Sequence, residues 1–388
     1  MINVNKNNII ITLFIGVYFL SNVTSQTFFP SNPIVFLIAK ITPLILALFF
    51  ILIKQKIIIK DDLTKLWYLS YFLFITSSFL FALFTFDILT AYKYLSINFF
   101  LTTPLLLFNF FINNNTKFEL MIRVLSFCYL IFTLYVFYTF LTSVEIYHIK
   151  NIGIISKGTV SNLVILGLSI LLLEKNFFYK TLILIITILI VYYSNSVKAF
   201  FILLLFLTLI TFNYKKKYFL ILVIFFPIIL ILFQNENFLY GVQNQPYYNL
   251  TINRVIVLFG GVSSDYAMQD IQGNIELRAR SLELYLKNPI FGIGLENERN
   301  IFGTSAHSGV ISLLIGTGII GFILFFLFIF YILLKSFKYK YKDLQIIILM
   351  YLFWACVNPI YSNPNAILVA FIASSIFILR RTNYQNEA

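Results

Sequence analysis

The sequence predicts an all-α membrane protein with about twelve transmembrane helices and one large loop on the outer side of the membrane. Three observations support this fold class. The chain is 60% apolar and only 11% charged over 388 residues. Apolar runs of about 18 or more residues recur along it, and each is long enough to cross the hydrocarbon core as a helix. Lysine and arginine gather in alternate loops, which is the pattern that sets the orientation of polytopic membrane proteins.

The apolar runs divide the chain into three parts. We expect nine transmembrane helices in residues 1–233, a large loop in residues 234–306 and three further transmembrane helices in residues 307–388. The first run has no small-residue cleavage site before Pro30, so we expect it to be retained as a span. The expected spans lie near residues 8–28, 32–53, 66–86, 92–112, 119–142, 159–173, 178–193, 197–212, 218–233, 308–334, 344–361 and 365–381.

The basic residues predict the orientation of these spans. They fall in alternate connections and near the C-terminal end, whereas the connections between them carry few cations. The basic side is therefore expected to be cytoplasmic, with both termini inside. The net charge of +13 follows this pattern, so it argues for membrane topology and against nucleic-acid binding. The basic groups comprise residues 54–65, 117, 175–180, 215–217, 335–342 and 380–381.

The two cysteines, Cys128 and Cys356, each fall in an apolar span. They are far apart in sequence and follow no metal-ligand spacing, so core packing is the expected role. The rest of the chain does not resemble a zinc or magnesium site either. We therefore expect no metal and no other cofactor.

The outer loop, residues 234–306, is much longer than any other connection in the chain. Loops of this length in a compact protein are usually functional or disordered, and the composition of this loop argues against disorder. Within it the sequence predicts a helix from Ile275 to Lys287. That helix is expected to end at Asn288-Pro289, because proline disfavours a helical conformation in the residue before it.

His307 is the first candidate for chemistry, because it lies at the outer start of the tenth expected span. The positive end of a helix dipole favours a neutral imidazole there. The ordinary pKa of an imidazole is about 6.5, so a neutral form that accepts a proton is expected at the outer face. The alternative is an interfacial histidine that bonds to lipid headgroups or to the loop.

Three arginines of the outer loop are candidates for binding an anion. Arg278 and Arg280 point about 200° apart on a helix, so they do not share a face. Arg280 has Glu276 and Glu283 at helical spacing, and an ordinary surface pair accounts for it. Arg278 has no acidic residue at helical spacing. This suits a guanidinium that binds a phosphate through two parallel hydrogen bonds. Arg254 is a weaker candidate for the same role, and solvated loop charges are the alternative for each arginine.

Lys198 is the fourth cationic candidate. It follows a short outer turn, residues 194–196, and enters the eighth expected span. A cation at that place can hold an anionic group at the outer membrane face. It can equally extend its ammonium group to the lipid headgroups.

Two glycine patterns flank His307. The segment Pro289-Ile-Phe-Gly292-Ile-Gly294 is predicted to be a turn in which the glycines allow close backbone approach. The tenth expected span carries four glycines, for which tight helix packing is the simplest interpretation. These are Gly309, Gly316, Gly318 and Gly321.

The chain reads SLELYLKNPIFGIG at residues 281–294 and AHSGVISLLIGTGIIG at residues 306–321. These two stretches resemble the O-antigen polymerase and ligase superfamily of bacterial membrane glycosyltransferases. The superfamily has a helix, a P-x-x-G-x-G turn, and a histidine at the outer start of a glycine-spaced helix. Ser196-Val-Lys198-Ala is a fainter match, with lysine where the family often has arginine. A second departure is Asn274, which stands where the family usually has the arginine that precedes the loop helix.

The resemblance implies a polytopic, GT-C-like fold in the bacterial inner membrane, with the large loop and the active site facing the periplasm. It implies that oligosaccharide repeat units carried on undecaprenyl pyrophosphate are joined there without a metal, for lipopolysaccharide biosynthesis. His307 would remove the acceptor proton. Arg278 and Lys198, with Arg280 and Arg254 as further candidates, would bind the departing pyrophosphate. The implied partners are the lipid-linked substrate, membrane lipid and a chain-length regulator protein.

Within the superfamily the sequence favours a polymerase over a ligase. Ligases tend to read His-Asn at the histidine, whereas this chain reads His307-Ser308. An O-antigen ligase, which transfers glycan to lipid A–core, is the alternative. A lipid-linked oligosaccharide flippase is an alternative of another class, but it would need ionisable groups spread through a central cavity. A membrane scaffold without chemistry is the remaining alternative.

Overall fold

All regular elements that the computed structural model describes are helical. The described residues are 6–24, 33–54, 65–66, 69–70, 72–74, 76, 88–108, 115–142, 157–193, 196–214, 265–295, 297–303, 308–358 and 367–376.

The helices follow one another along the chain and are joined, where the connections are described, by short turns. The first helix continues into a π-helical segment, Phe19–Thr24. We number the helices α1 Lys6–Tyr18, α2 Pro33–Lys54, α3 Ile88–Phe108, α4 Asn115–Thr142, α5 Lys157–Leu173, α6 Phe177–Tyr193, α7 Val197–Tyr214, α8 Asp265–Lys287, α9 Glu298–Phe302, α10 Gly309–Lys338, α11 Lys342–Val357 and α12 Ile367–Ile376.

Most of the expected spans coincide with a described helix. The third span is described only at scattered helical residues, and the ninth span, residues 218–233, lies outside the described residues. The count of twelve therefore stays a prediction. Two helices, Asn115–Tyr138 and Gly309–Lys338, are long and apolar enough to cross a membrane by length and composition. The other apolar helices of the described part are shorter.

The loop helix differs from its prediction at one end. It begins at Asp265 and not at Ile275, and it ends at Lys287 as expected. The prediction started too late because Gly273 and Asn274 resemble a helix break. A helical glycine is less favourable than alanine by only about 1 kcal/mol, and the space beside Gly273 is open. Neighbouring turns of α8 therefore carry the helix through this position.

Three helices form the packing unit on which the candidate site is built. α5, α7 and α11 contact one another, α11 also packs against α10, and α10 packs against α8. Trp354 of α11 is fully buried in this group, and Tyr351 of the same helix is almost fully buried. α5 also contacts α6. The bundle continues from α6 to α4 and from α4 to α1. The loop helix α8 is therefore attached to the bundle through α10.

Two lysine contacts mark one end of the bundle. At one end Lys342, which begins α11, donates to the carbonyl oxygen of Asn213 near the end of α7, at 2.8 Å. Lys175, which follows α5, pairs with Glu119 of α4 at 2.5 Å. This is the end that the sequence predicts to be cytoplasmic. The opposite end holds the starts of α5, α7 and α10 and the end of α11. The orientation of the two ends relative to the membrane stays a prediction.

Candidate functional site

α10 is broken at one residue inside its length. Gly318 has φ 62° and ψ −168°, which is not a helical conformation. In an uninterrupted helix Ile319 N–H would donate to Ile315 O, and Ile320 N–H would donate to Gly316 O. The break at Gly318 therefore frees two donors and two acceptors inside an apolar helix. Unpaired backbone groups in such a place are strongly unfavourable.

The turn that follows α8 bonds to all four of these groups. Ile293 N–H donates to Ile315 O at 2.8 Å, and Gly294 N–H donates to Gly316 O at 2.8 Å. In the other direction Ile319 N–H donates to Pro289 O at 2.9 Å. The fourth bond, at 3.4 Å, joins Ile320 N–H to Ile290 O. Residues 289–294 therefore act as a splint for the broken helix, and we call them the splint turn.

The glycines of both segments allow this backbone pairing. Gly292 and Gly294 of the splint turn have φ of 71° and 97°, where glycine is favoured. A Cβ on Gly292 would lie 2.6 Å from Gly318 N, and a Cβ on Gly316 would lie 2.9 Å from Leu295 Cα. The predicted close approach at this turn is confirmed. Its partner is the break in α10, which the glycine spacing alone did not reveal.

At the opposite end from the basic loops, Lys198 joins three helices through side-chain hydrogen bonds. Its Nζ donates to Asn358 Oδ1 at 3.2 Å, and Asn358 Nδ2 donates to Ser161 Oγ at 2.8 Å. Lys198 lies at the start of α7, Asn358 directly follows α11, and Ser161 lies near the start of α5. Asn358 is 3% exposed and Ser161 is fully buried. The ammonium group is therefore held at a junction of three helix ends.

The start of α10 lies at the same junction. A Cβ on Gly309, the first residue of α10, would overlap the carbonyl oxygen of Asn358 and would lie 2.8 Å from that of Ala355. Ser308 caps α10, since its Oγ accepts a hydrogen bond from Ile311 N–H at 3.3 Å. The positive end of the α10 dipole therefore lies beside the Lys198–Asn358 pair.

Arg278 lies on the loop helix α8, which packs against α10, and its side chain is half-buried. Ser281, one helical turn later on the same face of α8, is fully buried. The face of α8 that carries Arg278 therefore packs against the spans. Through α10, which contacts α11, Arg278 is attached to the same group of helices as Lys198, although the two are far apart in sequence.

Arg280 lies on the other side of α8, as its spacing from Arg278 predicts. It pairs with Glu276 at 4.0 Å, and both side chains are about 70% exposed. This is the surface pair that the sequence suggested. A pair so exposed contributes about 0–1 kcal/mol. The two other candidates, Arg254 and His307, lie outside the described residues, so their roles stay predictions.

Glu298 is a buried acid that the sequence reasoning missed. It begins the short helix α9, is 1% exposed, and accepts a hydrogen bond from Ser312 Oγ at 2.5 Å. Ser312 lies in the first turn and a half of α10, so this bond ties α9 to the start of that helix. The segment 295–300 contains two glutamates with no helical periodicity, and nothing in that pattern distinguishes Glu298 from Glu296.

The arrangement is suited to holding an anion at one end of a helix bundle. It combines an ammonium group with fixed neighbours, a half-buried guanidinium and the positive end of a long helix. His307 precedes Ser308, the cap of that helix, by one position. Among the described residues no group of three histidine, cysteine, aspartate or glutamate side chains could hold a metal ion.

Taken together, the apolar helices and this cationic end have the features of a polytopic helical membrane protein. A family model described as O-antigen ligase matches residues 181–326. The match supports the superfamily of O-antigen polymerases and ligases, and with it glycosyl transfer at a membrane, without distinguishing polymerase from ligase. No curated protein matches the chain. The matched segment contains all five candidate residues, namely Lys198, Arg254, Arg278, Arg280 and His307.

Proposed function

We propose that this protein is an O-antigen polymerase. It joins oligosaccharide repeat units that are linked to undecaprenyl pyrophosphate, at the periplasmic face of the inner membrane, by metal-independent glycosyl transfer. The observation that carries this proposal is the junction at the end of α11, where Lys198 bonds to Asn358 beside the start of α10. The half-buried Arg278 lies on α8, which packs against α10. A lipid diphosphate is the anionic group that such a cationic end of a membrane bundle is suited to bind.

In the proposed reaction the hydroxyl group of the acceptor sugar attacks the anomeric carbon of the donor. The new glycosidic C–O bond forms as the C–O bond to the diphosphate breaks, and undecaprenyl pyrophosphate leaves with the bonding electron pair. His307 accepts the hydroxyl proton as a general base. Lys198 and Arg278 stabilise the negative charge that develops on the departing diphosphate. Arg254 and Arg280 are secondary candidates for the same anion, Arg280 only if its exposed pair with Glu276 opens.

The polymerase is preferred over the ligase for a sequence reason. Serine and not asparagine follows the candidate base, at Ser308, and the structure gives this serine the role of helix cap. The ligase stays the second candidate, because the matching family model carries that description. Both reactions use the same donor and differ in the acceptor, a second repeat unit for the polymerase and lipid A–core for the ligase.

A glycan ladder from cells that lack this chain separates the two functions. Loss of a polymerase leaves lipid A–core capped with a single repeat unit. Loss of a ligase leaves uncapped core, while lipid-linked polymer accumulates. An unchanged ladder would contradict both functions. Re-expression of the intact chain restores the long glycans and serves as the control.

A further inference from the structure

We propose that Asn358 is a positioning residue of the diphosphate site, which holds the ammonium group of Lys198 at the junction of α5, α7 and α11. This inference rests on the proposed function and extends it to a residue outside the segment that matches the family model. Asn358 lies beyond residue 326, where that segment ends, and Ser161 lies before residue 181, where it begins.

The hydrogen bonds determine the orientation of the Asn358 carboxamide. An ammonium group has donors and no acceptor, so the oxygen of the carboxamide must face Lys198. The nitrogen then faces Ser161, whose hydroxyl oxygen accepts at 2.8 Å. Both ends of the carboxamide are therefore occupied in one orientation, and the residue is 3% exposed.

The backbone of Asn358 also has defined neighbours. Its N–H donates to Trp354 O at 3.0 Å and closes the end of α11. Its carbonyl oxygen lies against Gly309 so closely that no side chain fits there. One residue therefore connects the end of α11 with the starts of α5, α7 and α10. A lysine that bonds to this residue is held relative to four helices.

Asn358 has an uncharged side chain, and this matters for the charge near Lys198. A carboxylate would hold the ammonium group at least as firmly, but it would cancel the positive charge that a diphosphate needs. A neutral acceptor holds Lys198 without adding a negative charge beside it. Holding a lysine side chain in its binding conformation before the ligand arrives also reduces the entropy that is lost on binding.

The second candidate cation, Arg278, lies on α8, which packs against α10. α10 begins beside Asn358, so the loop helix and Asn358 both contact this helix.

The test measures binding of undecaprenyl pyrophosphate, the product of the proposed reaction, to the full-length protein in lipid nanodiscs. Asn358→Ala removes the acceptor for the ammonium group and is expected to raise the Kd about tenfold, as expected for the loss of a hydrogen bond to a charged group. Asn358→Asp has nearly the same shape and can keep both contacts, since the hydroxyl of Ser161 can donate to a carboxylate. It is expected to fold and to raise the Kd more than Asn358→Ala does.

Two comparisons connect the effect to Lys198. The double variant Lys198→Ala/Asn358→Ala is expected to bind no more weakly than Lys198→Ala alone, because Asn358 acts through the lysine. Lys175→Ala, which removes an exposed ion pair at the other end of the bundle, is expected to leave the Kd unchanged. In turnover assays Asn358→Ala should raise the KM for the lipid-linked donor more than it lowers kcat.

The outcomes separate the positioning role from the proposed function. Wild-type binding in Asn358→Asp, or single effects that multiply in the double variant, would overturn the role of Asn358 and leave the proposed function intact. Failure of the wild-type protein to bind undecaprenyl pyrophosphate would overturn the proposed function itself. If both Asn358 variants lost the same thermal stability while the Kd for undecaprenyl pyrophosphate stayed unchanged, Asn358 would act only as a helix cap.

Discussion

Gly292 and Gly318 face each other with their backbones in contact, so that neither position has room for a side chain. A Cβ on Gly292 would lie 2.6 Å from Gly318 N, and a Cβ on Gly318 would lie 2.6 Å from Phe291 N. Both residues also have positive φ. This pairing fixes the splint turn to α10, and through it the loop helix that carries Arg278.

Gly292→Ala is expected to damage the protein much more than Gly303→Ala. Gly303 also has φ 71°, but a Cβ there meets nothing within 4 Å. An alanine at this φ costs about 1–2 kcal/mol at either position, and the contact with the α10 backbone adds about 1–3 kcal/mol at Gly292 alone. Thermal unfolding in detergent and glycan chain length, measured on both variants, check this. Similar losses in the two variants would mean that the splint turn does not depend on close packing.

The sequence predicted the parts of this region but not how they fit together. The end of α8 at Lys287 and the turn at Pro289 follow from local rules, because proline and glycine act on the backbone near them. The break at Gly318 could not be predicted, because glycine is common in membrane helices and the four freed backbone groups are satisfied by residues distant in sequence. The bond between Lys198 and Asn358 spans 160 positions, and no periodicity encodes such a contact.

Arg278→Ala is expected to reduce polymer formation at least tenfold, whereas Arg278→Lys is expected to retain part of it. The side chain of Arg278 is half-buried, and there its interaction with an anion is expected to exceed that of a surface pair. Lysine keeps the positive charge but cannot form the two parallel hydrogen bonds that a guanidinium makes to a phosphate. The measurement is the rate of glycan chain growth in membranes that contain equal amounts of each variant.

Arg280→Ala provides the matched control for Arg278. The two residues are on the same helix, and Arg280 makes an exposed pair with Glu276 at 4.0 Å. Its removal should change the rate less than about twofold, since exposed pairs contribute little. If Arg280→Ala were as harmful as Arg278→Ala, the exposed face of α8 would have to belong to the site. If Arg278→Ala and Arg278→Lys were equally active, Arg278 would have only a packing role.

Cys356 provides a direct test of the predicted orientation. It is exposed at the end of α11 that holds Lys198 and Asn358, so the core packing expected from the sequence is wrong for this cysteine. Cys128 is half-buried within α4. In the single-cysteine variant Cys128→Ala, a membrane-impermeant thiol reagent added from the periplasmic side is expected to label Cys356. The variant Cys356→Ala, which keeps Cys128, should be labelled much less. Labelling of Cys356 only from the cytoplasmic side would place the candidate site on the wrong face for lipid-linked repeat units.

His307→Ala is expected to leave the protein inserted in the membrane and to abolish long glycan chains. His307 precedes Ser308, the cap of α10, and Gly309 places the start of that helix beside Asn358 and Lys198. The imidazole is therefore expected near the cations that are proposed to bind the diphosphate, where it would accept the proton of the attacking hydroxyl. Loss of a general base reduces a rate by about 10²–10⁴-fold. The readouts are glycan chain length in cells and turnover of purified protein.

The chain has one other histidine, His148, and His148→Ala is the matched control with normal chain lengths expected. A base must be unprotonated to act, so the kcat/KM of the wild-type protein should fall as the pH drops below about 6.5, the ordinary pKa of an imidazole. Normal chain lengths in His307→Ala would remove this residue from the reaction. Binding of undecaprenyl pyrophosphate should survive in His307→Ala, because Lys198 and Arg278 are the proposed ligands of the diphosphate and the imidazole is proposed to act on the acceptor.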